Sequence, residues 1–294
     1  MKIKDLLQQS DRKVVFSCEI FPPKKDVEFS GIFETVDAIH QLGADFISVT
    51  YGAGGNPSDN STCEIAHIIK EEYGIEALPH LTCVNSSTSQ VEKVLDYLKA
   101  HHLENVLALR GDINPEVPPQ KDFRYASELT SFIKSRGDFD IGGACYPEGH
   151  CECPNLDRDI ENLKYKVDAG ATHLISQLFF DNNDFYNFMY RVRQAGITVP
   201  VQAGIMPVTN KRQIQRMVSL CGASLPKKFV KMMNRYEAFP EALRDAGIAY
   251  ATEQIVDLMS NSVDGVHLYT MNKPEVAHKV FDSIHNILKC VNYR

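Results

Sequence analysis

Between Val14 and Phe21 the side chains alternate. Val14, Phe16, Cys18 and Ile20 fall on one side of an extended segment, and Val15, Ser17, Glu19 and Phe21 on the other. Pro22 and Pro23 end the run, because proline cannot donate to a sheet ladder. Further strands are expected at Phe46–Thr50, Ala77–Thr82, Asn105–Arg110, Ile141–Cys145, His173–Phe179, Val199–Ala203 and Gly265–Tyr269. Between them apolar residues recur at helical spacing, in Ile32–Leu42, Thr62–Tyr73, Gln90–His101, Tyr125–Ser135, Leu156–Ala169 and Phe185–Ala195. The helical pattern continues through Lys211–Leu220, Glu241–Ser260 and Pro274–Leu288.

Strands alternating with helices predict βαβ units and a parallel sheet. Gly43, Gly74, Gly170 and Gly196 stand where helices should stop in a left-handed conformation. An open doubly wound sheet also satisfies the alternation. Eight units within 294 residues fit a closed (β/α)8 TIM barrel better, as one α/β domain over residues 1–294. The stretch Pro226–Ser260, between the seventh and eighth strands, reads as a helical insertion: the seventh helix plus extra turns.

In such a barrel the chemistry sits at the C-terminal ends of the strands. Those ends carry Glu19, then Thr50 and Tyr51, His80 and Thr82, and Arg110, Gly111 and Asp112. They continue with Tyr146, Glu148 and His150, then Gln177, the Gly204–Pro207 turn after Gln202, and His267, Tyr269 and Thr270. A rim that meets water needs polar groups in any case. Solvation explains less well why Glu19 precedes Ile20 and Phe21, why His80 lies between Pro79 and Leu81, or why Gln177 precedes Leu178 and Phe179. A buried carboxylate or amide is costly unless paired or used. For Glu19 alone, a structural ion pair and a functional role stand as equals; the set together favours a site.

Composition narrows the function classes. A net charge of −7, with no Lys/Arg-rich run, argues against a nucleic-acid stripe. No apolar run approaches the roughly 20 residues of a membrane helix. The start, MKIKDLLQQSDRK, has no secretory-signal pattern, so a cytoplasmic location is expected. The eight cysteines are scattered, several in apolar strands, and read mostly as buried thiols. His150, Cys151 and Cys153 cluster, but a spacing of one and no second pair speak against zinc, and no metal is expected. Tyr51–Gly55 (YGAGG) reads as a strand-end turn and not as a dinucleotide loop.

The segments FSCEIFPPK, VTYGAGG, PHLTCV, NVLALRGD, CYPEGH, LISQLFFD and AGIMPV follow one another at the strand ends. In this order they resemble the methylenetetrahydrofolate reductase family, from about residue 14 to residue 290. The resemblance implies a flavin-dependent (β/α)8 barrel that reduces 5,10-methylenetetrahydrofolate with NADH or NADPH by ping-pong hydride transfer through FAD. It also implies a homo-oligomer. The chain stops after its eighth helix, so the regulatory domain of eukaryotic members, and control by S-adenosylmethionine through it, are not expected.

The resemblance assigns roles to residues. Glu19 matches the family's general acid, which protonates N10 of the folate; its apolar neighbours suit a carboxyl that keeps its proton. Asp112 matches a residue at the flavin N1/C2=O edge that also meets the pterin, and Gln177 an amide that hydrogen-bonds the pterin. Lys273 matches a basic position facing the folate tail. Thr50, Tyr51, Ala53, His80, Arg110, Gly111, Asp112, Tyr125, Ala126, Tyr146 and His150 match flavin contacts, joined by Asp159, Asn162 and Lys166 on one face of the following helix. Read without the family, those three suit a solvated charged face, and Arg110 with Asp112 suits a turn ion pair.

Departures from the family pattern bear on the electron donor. Tyr165 and Lys211 stand where relatives carry a basic residue and an aromatic one, and Cys151-Glu152-Cys153 replaces the usual Pro and Ala. Tyr165 bears on the phosphate contacts; Lys211 and the His150–Cys153 stretch motivate an alternative, a related barrel served by a partner flavoprotein or ferredoxin. A non-redox folate-binding or methyl-transfer barrel is the second alternative.

Overall fold

The structure, a computed structural model, describes residues 1–9, 14–23, 30–51, 61–113 and 120–292. Eight parallel strands close into a barrel in sequence order: β1 (Val15–Ile20), β2 (Phe46–Val49), β3 (Glu76–Thr82), β4 (Asn105–Leu109), β5 (Asp140–Cys145), β6 (His173–Ser176), β7 (Val201–Ile205) and β8 (Gly265–Tyr269). The barrel closes where β8 pairs with β1, with Ser17 opposite His267. Helices α2 (Ser30–Leu42), α3 (Ser61–Tyr73), α4 (Thr88–Ala100), α5 (Ala126–Arg136), α6 (Leu156–Ala169) and α7 (Asn182–Gln194) connect successive strands. Among the described residues no helix is long and apolar enough to cross a membrane.

The alternation in β1 sorts as expected. Phe16, Cys18 and Ile20 pack outward among the helices in the main core, while Val15 faces the barrel interior with Phe46, Leu78, Leu107 and Ile175. Gly43, Gly74, Gly170 and Gly196 all take positive φ at the helix ends.

Three features depart from the pattern read in the sequence. A short helix, α1 (Ile3–Leu7), had no signal there; it plugs the N-terminal end of the barrel with Ile3 and Leu6. Its first amides donate to side chains of the barrel floor, Ile3 N to Asn105 Oδ1 at 3.0 Å and Lys4 N to Asp140 Oδ2 at 2.8 Å. The sixth strand ends at Ser176 and not Phe179, because Leu178 and Phe180 are apolar for another reason: they pack in a satellite core with Phe229 and Leu243. The seventh strand is shifted forward, to Val201–Ile205 from the expected Val199–Ala203.

Between β7 and β8 lie three helices, α8 (Lys211–Cys221), α9 (Lys227–Tyr236) and α10 (Pro240–Ser260), and α11 (Pro274–Asn292) follows β8. Pro226–Ser260 is therefore broken into two helices, with α8 ahead of them. Helix α10 crosses the turn after β7 at Gly247, where an added Cβ would stand 1.7 Å from the Val208 carbonyl oxygen.

Candidate active site

Above the apolar floor the strands turn polar residues inward. Ser17, Ser48, Gln202 and His267 have no exposed surface. They bond to one another: Ser17 Oγ lies 2.7 Å from His267 Nδ1, Ser48 Oγ 3.2 Å from His267 Nε2, and Gln202 Nε2 donates to Ser17 Oγ at 3.0 Å. Hydroxyls donate and accept, which lets such a chain be enclosed, although Gln202 Oε1 has no hydrogen-bond partner among the described residues.

One level nearer the rim stands Glu19, 19% exposed. Its Oε2 lies 3.6 Å from Nε2 of His80 on β3 and 3.7 Å from Nε2 of His267 on β8. Burial pushes the His80 imidazole down to about 4, against the pull of Glu19, so it is neutral near pH 7. His80 Nε2 has no hydrogen-bond partner among the described residues. A stranded buried polar atom costs about 1–3 kcal/mol, which an incoming ligand group can relieve.

From His80 a cleft of about 1120 Å³ runs along the C-terminal rim toward α6. The structure brings the dispersed candidates together there: Thr50, Tyr51, His80, Arg110, Gly111, Asp112, Tyr125, Ala126, Tyr146, His150, Asp159, Asn162 and Lys166 all line it. Ala53 lies outside the described residues. Gly111 makes the turn after β4, at φ +83°, where a Cβ would stand 3.0 Å from Thr82 Cβ; only glycine meets both demands. Asn155 caps α6 by accepting from Arg158 N at 2.9 Å.

The cleft's charges are constrained. The Lys166 ammonium donates to the Ala144 carbonyl at 2.5 Å, its stem lying against Gly143, where a Cβ would stand 2.8 Å away. Burial lowers its pKa, and nearby Asp159 works against that shift. Burial also raises Asp159, whose Oδ2 accepts from His150 N at 3.2 Å, and raises the Tyr146 phenol, whose ring meets the His150 edge at 4.7 Å. Arg110 does not pair with Asp112. Its fork takes both oxygens of Glu152, Nη1 to Oε2 at 2.5 Å and Nη2 to Oε1 at 2.8 Å. Asp112 stands exposed on the cleft wall.

Gln177 and Lys273 are not part of the cleft lining; each is tied nearby in the chain or across the mouth. Gln177 Oε1 accepts from Leu178 N at 2.9 Å, and Lys273 Nζ donates to Thr209 Oγ1 at 2.6 Å. Lys211 pairs with Glu237 at 2.5 Å. Among the described residues no three His, Cys, Asp or Glu groups are arranged to hold a metal; His150 Nδ1 accepts from Glu152 N, and Cys153 Sγ from Asn162.

The cysteines around Glu152 point to metal chemistry in the sequence and hide its pairing with Arg110. Tyr269, a strand-end position in the sequence, sends its hydroxyl across the mouth to the Ser176 carbonyl, 2.7 Å away, over Gly204, where a Cβ would stand 2.8 Å from the phenol. The inward period of β8 held a signal for it, since Gly265, His267 and Tyr269 share a face.

A closed parallel barrel with a cleft at its C-terminal rim, its inner end at His80 with the partly buried carboxylate of Glu19 3.6 Å behind, has the architecture of a small-molecule enzyme. Residues 2–285 match the family described as methylenetetrahydrofolate reductase, and the chain belongs to that family, whose members reduce methylenetetrahydrofolate. The 5,10-methylenetetrahydrofolate reductase of Pectobacterium carotovorum subsp. carotovorum is 34% identical over 274 residues, covering 93% of this chain and 91% of that protein. Methylenetetrahydrofolate reductase 1 of Schizosaccharomyces pombe is 33% identical over 298 residues, covering 97% of this chain but 48% of that protein, so the chain spans about half its length. Among solved structures, an uncharacterized protein from Clostridium thermocellum that binds two copies of 5-methyl-5,6,7,8-tetrahydrofolic acid matches with a TM-score of 0.69 at 14% identity. It covers 98% of this chain and 99% of that one, and the likeness concerns the fold.

Proposed function

We propose that the chain reduces 5,10-methylenetetrahydrofolate to 5-methyltetrahydrofolate with electrons from NADH or NADPH, through FAD held in the rim cleft, with Glu19 as general acid. The observation that carries this reading is the convergence of the Thr50-to-Lys166 set on one cleft whose inner end is His80, backed by Glu19.

The lining suits an extended, anionic dinucleotide. An ammonium at Lys166, a guanidinium at Arg110 and exposed Tyr125 and Tyr165 rings lie along the α5–α6 side, and the unpartnered Nε2 of His80 lies at the inner end. Lys166 and Arg110 would hold phosphate or ribityl oxygens. Tyr146, kept neutral by burial, would pack on a ring, and Asp112 would face the flavin's N1 edge. Bound FAD would supply hydride exchange between the nicotinamide and the folate.

The protein's own part is proton placement and orientation. Glu19 would give its proton to N10 of the folate, opening the five-membered ring. Neutral His80 at 3.6 Å brings no positive charge against that carboxyl near pH 7. Gln177 would turn its amide from Leu178 N to the pterin edge, and Lys273 would face the anionic tail. One site shared by both substrates in turn implies ping-pong kinetics.

The test is the colour of the purified chain. The reading expects a yellow protein whose visible band bleaches with NADH or NADPH without oxygen and returns on adding methylenetetrahydrofolate. A chain that takes up no FAD sinks the reading in favour of a non-redox folate barrel. A yellow chain that reduced nicotinamide leaves unbleached points to a protein electron donor instead.

A further inference from the structure

Arg110 is the one guanidinium at the end of β4, and its donors are already committed. Nε donates to the Gly111 carbonyl at 3.2 Å, while Nη1 and Nη2 grip Glu152. That bidentate geometry is the one a guanidinium offers a phosphate. A carboxylate and a phosphate therefore cannot hold this fork together.

The geometry around Glu152 suits a group that exchanges. Arg110 is 22% exposed but Glu152 is 54% exposed, so the acid stands on the solvent side of the pair. It sits on the β5–α6 loop, in a turn closed by Cys153 N to His150 O at 2.8 Å and by Glu152 N to His150 Nδ1 at 3.1 Å. The loop enters that turn through Gly149 at φ +87°. Both partners line the cleft.

We propose that Glu152 is an internal competitor of the dinucleotide's diphosphate for Arg110, a positioning residue that sets how tightly the cofactor binds. This rests on the reading of the cleft as a dinucleotide site. On entry, the diphosphate takes the fork and the Glu152 carboxylate swings to solvent; no covalent bond changes. The pairing holds the Glu152 carboxyl below its usual range, so the competitor is charged throughout the neutral range.

The experiment titrates the flavin-depleted full chain with FAD, and with riboflavin as a probe lacking phosphate. Glu152→Gln keeps the side-chain size and removes the charge. It is expected to bind FAD about two- to fivefold tighter, the scale of one well-made exposed ion pair. Its affinity should also fall more steeply with salt, because in wild type salt weakens the competing Glu152 pair along with the phosphate contact. Riboflavin binding should not change, and Arg110→Gln in the same chain should abolish the gain. Wild type that binds FAD while Glu152→Gln binds it equally or more weakly overturns the proposal alone. So does a gain of the same size for riboflavin. Wild type that binds no FAD overturns the cofactor reading and the proposal with it.

Discussion

Glu19 Oε2 and His80 Nε2 face each other at 3.6 Å inside the barrel mouth, and the imidazole of that pair is neutral near pH 7. Burial outweighs the carboxylate's attraction, so the contact is not an ion pair under ordinary conditions. The consequence is directional. A histidine held at about 4 when folded, against 6.5 as its ordinary value, binds its proton less readily in the folded state. Its contribution to stability is present above pH 6.5 and is lost as pH falls through about 4. A shift of that size corresponds to about 3 kcal/mol. Thermal melts from pH 7 to pH 4 should therefore show a loss that His80→Gln reduces. Buried His173, whose pKa burial also lowers, should supply acid sensitivity that remains in the variant.

Lys166, proposed as a cofactor-binding group, carries a charge that the fold has to tolerate. Its ammonium is desolvated and, among the described residues, donates to the Ala144 carbonyl. Lys166→Met should leave the melting temperature of the flavin-depleted chain unchanged or higher, since a desolvated charge is removed. The same variant should weaken FAD by tenfold or more, about the contribution of one charge-assisted hydrogen bond. Titration and melting on one sample separate the two effects.

Gly247→Ala tests the packing of α10 on the barrel. The added methyl would meet the Val208 carbonyl oxygen at 1.7 Å, and backbone has little freedom to retreat. A loss of about 3 kcal/mol or more is expected from chemical denaturation, at the upper end for overpacking.

The barrel floor makes an independent prediction. Ile3 is fully buried against Val15, Leu78 and Leu107 although it belongs to a helix of five residues. Ile3→Ala should destabilise by about 2–4 kcal/mol, the range for emptying a core site. Flavin affinity should be unaffected, because the floor lies at the opposite end from the cleft.

What was legible in the sequence follows from what is local. The β1 alternation was readable because one face meets helices and the other the interior, and each face keeps its own chemistry. The strand-end candidates were readable because a closed barrel collects strand ends on one rim. Helix α1 was not, since five residues have no helical stability of their own and only docking on Asn105 and Asp140 fixes them. The sixth strand was overextended because Leu178 and Phe180 are apolar toward Phe229 and Leu243, contacts that come from far along the chain. Glu152 was overlooked as a charge partner because Arg110 lies 42 residues away, and a cysteine on either side drew the reading toward metals.

The central claim is that Glu19 supplies a proton to the folate and nothing to the reductant. Rapid mixing of wild type and Glu19→Gln in each half-reaction separates those roles. Bleaching of the bound flavin by NADH or NADPH should proceed at a similar rate in both. Reoxidation by methylenetetrahydrofolate should slow by about 10²–10⁴-fold in the variant, the range for losing a general acid. Equal reoxidation rates in the two proteins would contradict the account.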